Sequence, residues 1–172
     1  EKLEDYIVKS IKEGIKEITK SADIKLDEIE QIGIAVPGNP KDGCIKNVVN
    51  LQIKEFNIVE QLEIKNIPVK LENDGKCAAL AEYKYGNIKQ YNNIIFLTLG
   101  TGIGGAFIYH GTLMKSDCTE GYEIGHVIIK SDGLQCRCGK RGCFETYGGI
   151  LAFKNKVIDR LNLSHDIPRP RA

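Results

Sequence analysis

Ile94-Ile95-Phe96-Leu97-Thr98-Leu99-Gly100-Thr101-Gly102-Ile103-Gly104-Gly105-Ala106-Phe107-Ile108 is the stretch on which the reading of the fold turns. An apolar run of strand length, Ile94 to Leu99, stops at a glycine turn, and Ala106 to Ile108 follow as its hairpin partner. Upstream, Ile32-Gly33-Ile34-Ala35-Val36, stopped by Pro37-Gly38, reads as another strand, as does Val69 to Leu71. Their unbroken apolar character predicts strands buried on both faces. Between Val69–Leu71 and Ile94–Leu99, Asp74 to Tyr85 is rich in helix formers and closes at Gly86, a common C-terminal signal. Leu3, Ile7, Ile11, Ile15 and Ile18 recur at helical spacing near the start, and Ile150, Phe153, Val157 and Leu161 do so over residues 150–161. Strands alternating with helices, one of them with an antiparallel partner, predict an α/β domain with a mixed sheet and flanking helices.

The whole chain has 172 residues, 24 basic against 23 acidic side chains and a formal net charge of +1. So balanced a charge provides no field to hold a polyanion or an anionic membrane. No apolar run approaches the roughly 20 residues of a membrane span, and no signal-peptide pattern opens the chain, so a cytoplasmic protein is expected. A domain of this size buries enough surface to dispense with disulfides. No linker or repeat interrupts the first 160 residues, whereas Asp166 to Ala172, with Pro168 and Pro170 between arginines, is expected to be a disordered tail.

Four places look chemical. The first is the turn itself, with four glycines between positions 100 and 105; glycine lets the backbone turn sharply and approach an anion closely. A glycine-rich hairpin without a ligand is the plain alternative. The second is Glu72-Asn73-Asp74, where a strand ends and a helix begins. Asn73 or Asp74 could cap the helix there, or Asp74 could serve as a proton acceptor at the strand's carboxyl end, where open α/β sheets gather ligands.

The third is the most specific. His126 precedes Cys136-Arg137-Cys138-Gly139-Lys140-Arg141-Gly142-Cys143, which together offer three thiolates and an imidazole, the donor set of a closed tetrahedral zinc site. The metal is expected to be structural. Cys44, Cys77 and Cys118 lack such spacing and are expected to be small core residues. The fourth place is the pair Glu123 and Glu145, which bracket the cysteine segment and could accept hydrogen bonds from sugar hydroxyls.

Five segments in order resemble the ROK family of sugar kinases and sugar-responsive repressors: Gly33 to Gly38, Glu72 to Gly75, Leu99 to Gly105, Glu123 to His126, and Cys136 to Glu145. The resemblance implies an actin-like, ribonuclease-H-like ATPase fold, here in part. Residues 1–71 would belong to the N-terminal lobe, and 72–165 to the lobe crossing and the zinc-bearing part of the C-terminal lobe. By the same resemblance Asp74 is the general base toward the sugar hydroxyl that attacks ATP, with Asn73, Asp74, Glu123, His126 and Glu145 around the sugar. Thr101, Gly102 and Gly104 would lie nearest the nucleotide phosphates. His126, Cys136, Cys138 and Cys143 would hold zinc, and magnesium would accompany ATP. A hexose or N-acetylhexosamine is the implied substrate, and a homodimer is common in the family.

The chain also departs from the family pattern. The Asp-x-Gly-x-Thr phosphate loop of the kinases occurs nowhere in it, which predicts weak or no ATP turnover by these residues alone. Lys76 stands where a small or amide residue is common, and Tyr122 where glycine is. The rival expectation is the sugar-sensing domain of a family repressor. A zinc module touching nucleic acid through Arg137, Lys140 and Arg141 is a third, disfavoured by the neutral charge and the lack of interleaved aromatics.

Overall fold

The computed structural model describes residues 2–48, 51–115 and 122–163. The expected tail from Asp166 onward and Cys118 lie outside them. Contacts divide the chain into two units, one running to Cys77 and the other taken up at Ala78.

In the first unit, α1 (Leu3–Ala22) begins without a side-chain cap, but Glu4 and Asp5 set negative charge against its N-terminus. It ends where Asp23 turns left-handed (φ 53°) and the Asp23 and Ile24 N–H groups donate back to Lys20 and Thr19 carbonyls. Then follow β1 (Ile32–Val36), β2 (Cys44–Val48), β3 (Ile53–Asn57), α2 (Ile58–Leu62) and β4 (Val69–Asn73). β2 and β3 form an antiparallel hairpin, and the Asn57 side chain caps α2 by accepting from the Glu60 N–H at 3.0 Å. β1 and β4 are parallel, in register from Ile32 opposite Val69 to Val36 opposite Asn73. Parallel strands need a crossover, and the hairpin with α2 supplies it. As a result the Pro37–Pro40 loop and the Asn73–Asp74 step leave the same edge of the sheet.

Val36, Ile45, Val48, Ile53, Phe56, Ile58 and Leu62 form the core of this unit, with Ile7, Val8 and Ile11 of α1 packed against it. Leu62 is among its most deeply buried side chains. Leu62→Ala is therefore expected to cost about 2–5 kcal/mol, read as a lower urea midpoint with an unchanged slope.

Helix α3 (Asp74–Tyr85) follows β4 directly, and Gly86 closes it by donating to the Glu82 carbonyl. In the second unit β5 (Ile94–Leu99) pairs antiparallel with β6 (Ile103–Tyr109), the hairpin expected from the sequence. β7 (Thr112–Leu113) extends the sheet through a tight turn in which His110 and Gly111 both take positive φ (47° and 72°). α4 (Glu145–Gly148) and α5 (Ile150–Arg160) come last.

Three expectations need correction. Burial alternates along β5, leaving Ile95, Leu97 and Leu99 exposed, so among the described residues one face of this sheet is covered and the other open. The C-terminal helix forms as expected, yet Ile150, Phe153, Val157 and Leu161 are exposed and the buried residue is Ile158. Periodicity identifies an apolar face, but not what covers it. Cys44 and Cys77 are half-buried rather than core. No helix among the described residues is long and apolar enough to cross a membrane.

Candidate functional site

The second unit holds the cysteines and their neighbours. A 3-10 turn at Ile124–His126 starts after Glu123, whose carbonyl accepts the His126 N–H at 3.0 Å. Ile128 then bridges Cys143, Phe144 donates to Val127 at 2.9 Å, and Gln135 bridges Arg141. These backbone bonds join the histidine segment to the cysteine segment. The donor atoms of His126, Cys136, Cys138 and Cys143 consequently lie within 4.8 Å of one another.

Within that cluster Cys138 Sγ stands 3.7 Å from Cys143 Sγ, and Cys136 Sγ 3.7 Å from His126 Nδ1. Sulfurs about 2.3 Å from one tetrahedral zinc would be about 3.8 Å apart. The donor set and its spacing therefore fit that ion, with Nδ1 as the nitrogen on the cysteine side. Burial pushes the Cys136 thiol up to about 12 and raises that of Cys143. Burial opposes ionisation of Cys138 too, but it is outweighed by the hydrogen bond from the Lys140 N–H, those from the other two thiols and the Lys140 charge, so this thiol is lowered. A divalent cation bound here would take all three sulfurs as thiolates.

Gly142 (φ 78°) and Gly139 (φ 90°) turn the backbone between these ligands. A Cβ on Gly142 would run into the Lys130 carbonyl, whereas one on Gly139 would meet nothing within 4 Å. Gly142→Ala should thus lower both metal content and melting temperature sharply. Gly139→Asn should cost only about 1 kcal/mol, because asparagine tolerates the left-handed region. Equal losses in the two variants, by elemental analysis and thermal melting, would contradict this assignment.

Glu145 opens α4 with Oε1 3.2 Å from Cys136 Sγ and 3.6 Å from His126 Nδ1. A Cβ added to Gly102 would overlap its other carboxylate oxygen. The glycine turn is also tied to the start of α5, where the Ile150 N–H donates to the Gly100 carbonyl at 2.9 Å. Gly104 is pressed against the Thr98 hydroxyl, and Gly105 against the Phe96 carbonyl. None of the turn's glycines takes a positive φ. The glycines here serve close packing more than sharp turning, and Gly100 alone among the four faces open space. Thr101 sits at the tip of the turn. Tyr122 takes φ 60° and sets its ring 5.9 Å from that of Phe107.

The first unit holds Asn73 and Asp74, and here the two readings of that segment separate. Asn73 Oδ1 accepts the Lys76 N–H at 3.0 Å, the geometry of a helix cap, while its Nδ2 donates to the Gly38 carbonyl at 2.8 Å. Asp74 is exposed, and its Oδ1 accepts the Gly75 N–H at 2.8 Å. The capping role belongs to Asn73. Sequence reasoning missed the partner of Lys76, whose ammonium donates to Asn39 Oδ1. The available signal was a cation in the first turn of a helix, where the dipole disfavours it.

Likeness to solved ROK structures makes this part of an actin-like, ribonuclease-H-like ATPase fold, and its second unit sets a cysteine–histidine centre beside a glycine hairpin. The ROK family profile matches residues 1–165, and the chain belongs to the ROK family. It is 35% identical over 138 residues to a glucokinase of Streptomyces coelicolor, covering 78% of this chain and 44% of that protein. It is 34% identical over 145 residues to the xylose repressor of Bacillus subtilis, covering 78% of this chain and 38% of the repressor. A ROK glucokinase of Streptomyces griseus, solved with glucose and AMPPNP, superposes with a TM-score of 0.74 at 30% identity, over 92% of this chain and 50% of that one. The chain thus spans half or less of the length of these relatives.

Proposed function

We propose that these residues are the central part of an ATP-dependent sugar kinase that phosphorylates a hydroxyl of a hexose or N-acetylhexosamine. The observation that carries this reading is Asp74, left exposed at the carboxyl end of β4 because Asn73 does the capping. A carboxylate there accepts the proton of a sugar hydroxyl as the hydroxyl oxygen attacks the γ-phosphorus and ADP leaves. Similarity to the glucokinases supports the same reading.

Glu123, Glu145 and the second ring nitrogen of His126 take sugar hydroxyls, joined by Asn73. Thr101, Gly102 and Gly104 lie along the phosphates of ATP, which arrives with magnesium. Cys136, Cys138, Cys143 and His126 Nδ1 would hold zinc, which when bound supplies a structural cross-link. Residues 1–71 belong to the N-terminal lobe in this reading, and 72–165 to the crossing and the zinc-bearing part of the other.

A coupled assay of the protein that carries this chain tests the proposal. ADP release that depends on glucose, N-acetylglucosamine or N-acetylmannosamine supports it; ATP hydrolysis indifferent to sugar contradicts it. The similarity to the xylose repressor favours a second reading, a sugar-sensing module. Sugar-sensitive, salt-dependent operator binding without phosphoryl transfer would establish that one.

A further inference from the structure

Lys76 is buried, 6% exposed, and is the one charged side chain so buried among the described residues. An ammonium withdrawn from water is costly unless it is paired, and an apolar residue of similar length would pack there more cheaply. Among the described residues no carboxylate lies within ion-pair distance of it; its hydrogen-bond partner is Asn39 Oδ1. Asn39 belongs to the loop that leaves β1, and Lys76 to the first turn of the helix that follows β4. β1 and β4 are parallel neighbours, so both segments emerge at their carboxyl ends, the edge where open α/β sheets place ligands. A second bond, from Asn73 Nδ2 to the Gly38 carbonyl, joins the same two segments one residue before Asn39 and three before Lys76. The two bonds fix the Gly38-Asn39 step relative to Asp74, which stands between Asn73 and Lys76 in the chain.

We infer that Lys76 is a positioning residue for sugar binding: its buried ammonium holds the Asn39 amide by its oxygen and locks the Pro37–Pro40 loop beside Asp74. The inference rests on the kinase reading for the identity of the ligand. It makes the loop's orientation depend on a side chain that touches no substrate. A methionine at 76 keeps the volume and removes the donor, leaving the Asn39 oxygen without that partner and the loop with one tie fewer to the helix. The sugar then loses an ordered wall, whereas ATP binding, served by other segments, does not.

The test uses the natural protein that carries this chain, as wild type, Lys76→Met, Lys76→Arg, Asn39→Ala and the Lys76→Met/Asn39→Ala double variant. Glucose, N-acetylglucosamine and N-acetylmannosamine are titrated by calorimetry, and KM and kcat are measured for each sugar and for ATP. Lys76→Met is expected to raise the sugar Kd and KM at least tenfold, with kcat within about threefold and the ATP KM within about twofold of wild type. Lys76→Arg should recover most of the loss, and the double variant should be no weaker than the weaker single. Unchanged sugar affinity in Lys76→Met overturns the inference, as do additive losses in the double variant or parallel losses for sugar and ATP. If Lys76→Met fails to fold, Asn39→Ala removes the same contact from the half-buried side, and wild-type sugar affinity in that variant is equally fatal. Wild type that binds sugar without phosphorylating it, while Lys76→Met weakens that binding, refutes the kinase reading and leaves the role of Lys76 standing.

Discussion

Cys143→Ser is expected to strip the protein of zinc and to undo the segment from His126 to Glu145. Cys143 has no exposed surface, and its sulfur lies 3.7 Å from that of Cys138. A serine hydroxyl at that point stays protonated and makes a poor fourth ligand. Structural zinc sites of this donor type contribute about 10–16 kcal/mol of apparent binding free energy, as much as the whole stability of a typical domain. Scattered backbone bonds, isolated bridges and a short 3-10 turn hold this segment rather than long ladders, so a bound metal would add much to its order. Elemental analysis should fall from one zinc per chain to none, and Cys136 and Cys138 should become reactive toward a thiol reagent. Acid should act in the same direction. Zinc must displace protons from thiols that burial raises, Cys136 up to about 12, so binding weakens as pH falls and a chelator should remove the metal more readily at pH near 6 than near 8. Undiminished zinc content in Cys143→Ser would remove the cysteine from the site.

Asp74→Asn is expected to lower kcat by about 10²–10⁴, the usual contribution of a general base, while the sugar dissociation constant changes only a fewfold. The substitution keeps the side chain's shape and an oxygen to accept the Gly75 N–H, a bond of 2.8 Å in the native chain. The negative charge and with it the ability to take up a proton are removed. Because Asn73 holds the cap, the helix should lose only the roughly 0.3–1 kcal/mol that a negative charge in its first turn contributes, and the melting temperature should fall only slightly. Steady-state kinetics beside calorimetry separates the two effects. A fall in sugar affinity with kcat preserved would make Asp74 a binding group rather than the base.

The features that sequence reveals here are those decided within a few residues. The β5–β6 hairpin follows from an apolar run meeting glycine, and the metal ligands from short-range cysteine spacing around tight turns. The β2–β3 hairpin is not legible in the sequence because Lys46, Lys54 and Glu55 interrupt its apolar pattern with exposed charges, two of which pair at 2.6 Å across the strands. Which face of α5 is covered depends on neighbours distant in sequence, so the apolar stripe was legible and its exposure was not. Glu145 reads from the sequence as a carboxylate near the cysteines, yet its place against Gly102 depends on the folded hairpin. Lys76 is the extreme case, since its partner lies 37 positions away. The capping choice between Asn73 and Asp74 turned on a single hydrogen bond that either residue could have made.

The most direct test of a sugar kinase built around Asp74 is phosphorus NMR of the zinc-loaded natural protein with magnesium, ATP and each of glucose, N-acetylglucosamine and N-acetylmannosamine, run beside its Asp74→Asn variant. The account predicts a sugar phosphate resonance growing in step with ADP in the wild type for at least one of these sugars, and none in the variant on the same timescale. Wild-type protein that yields no sugar phosphate, or a variant that yields it at the wild-type rate, would contradict it.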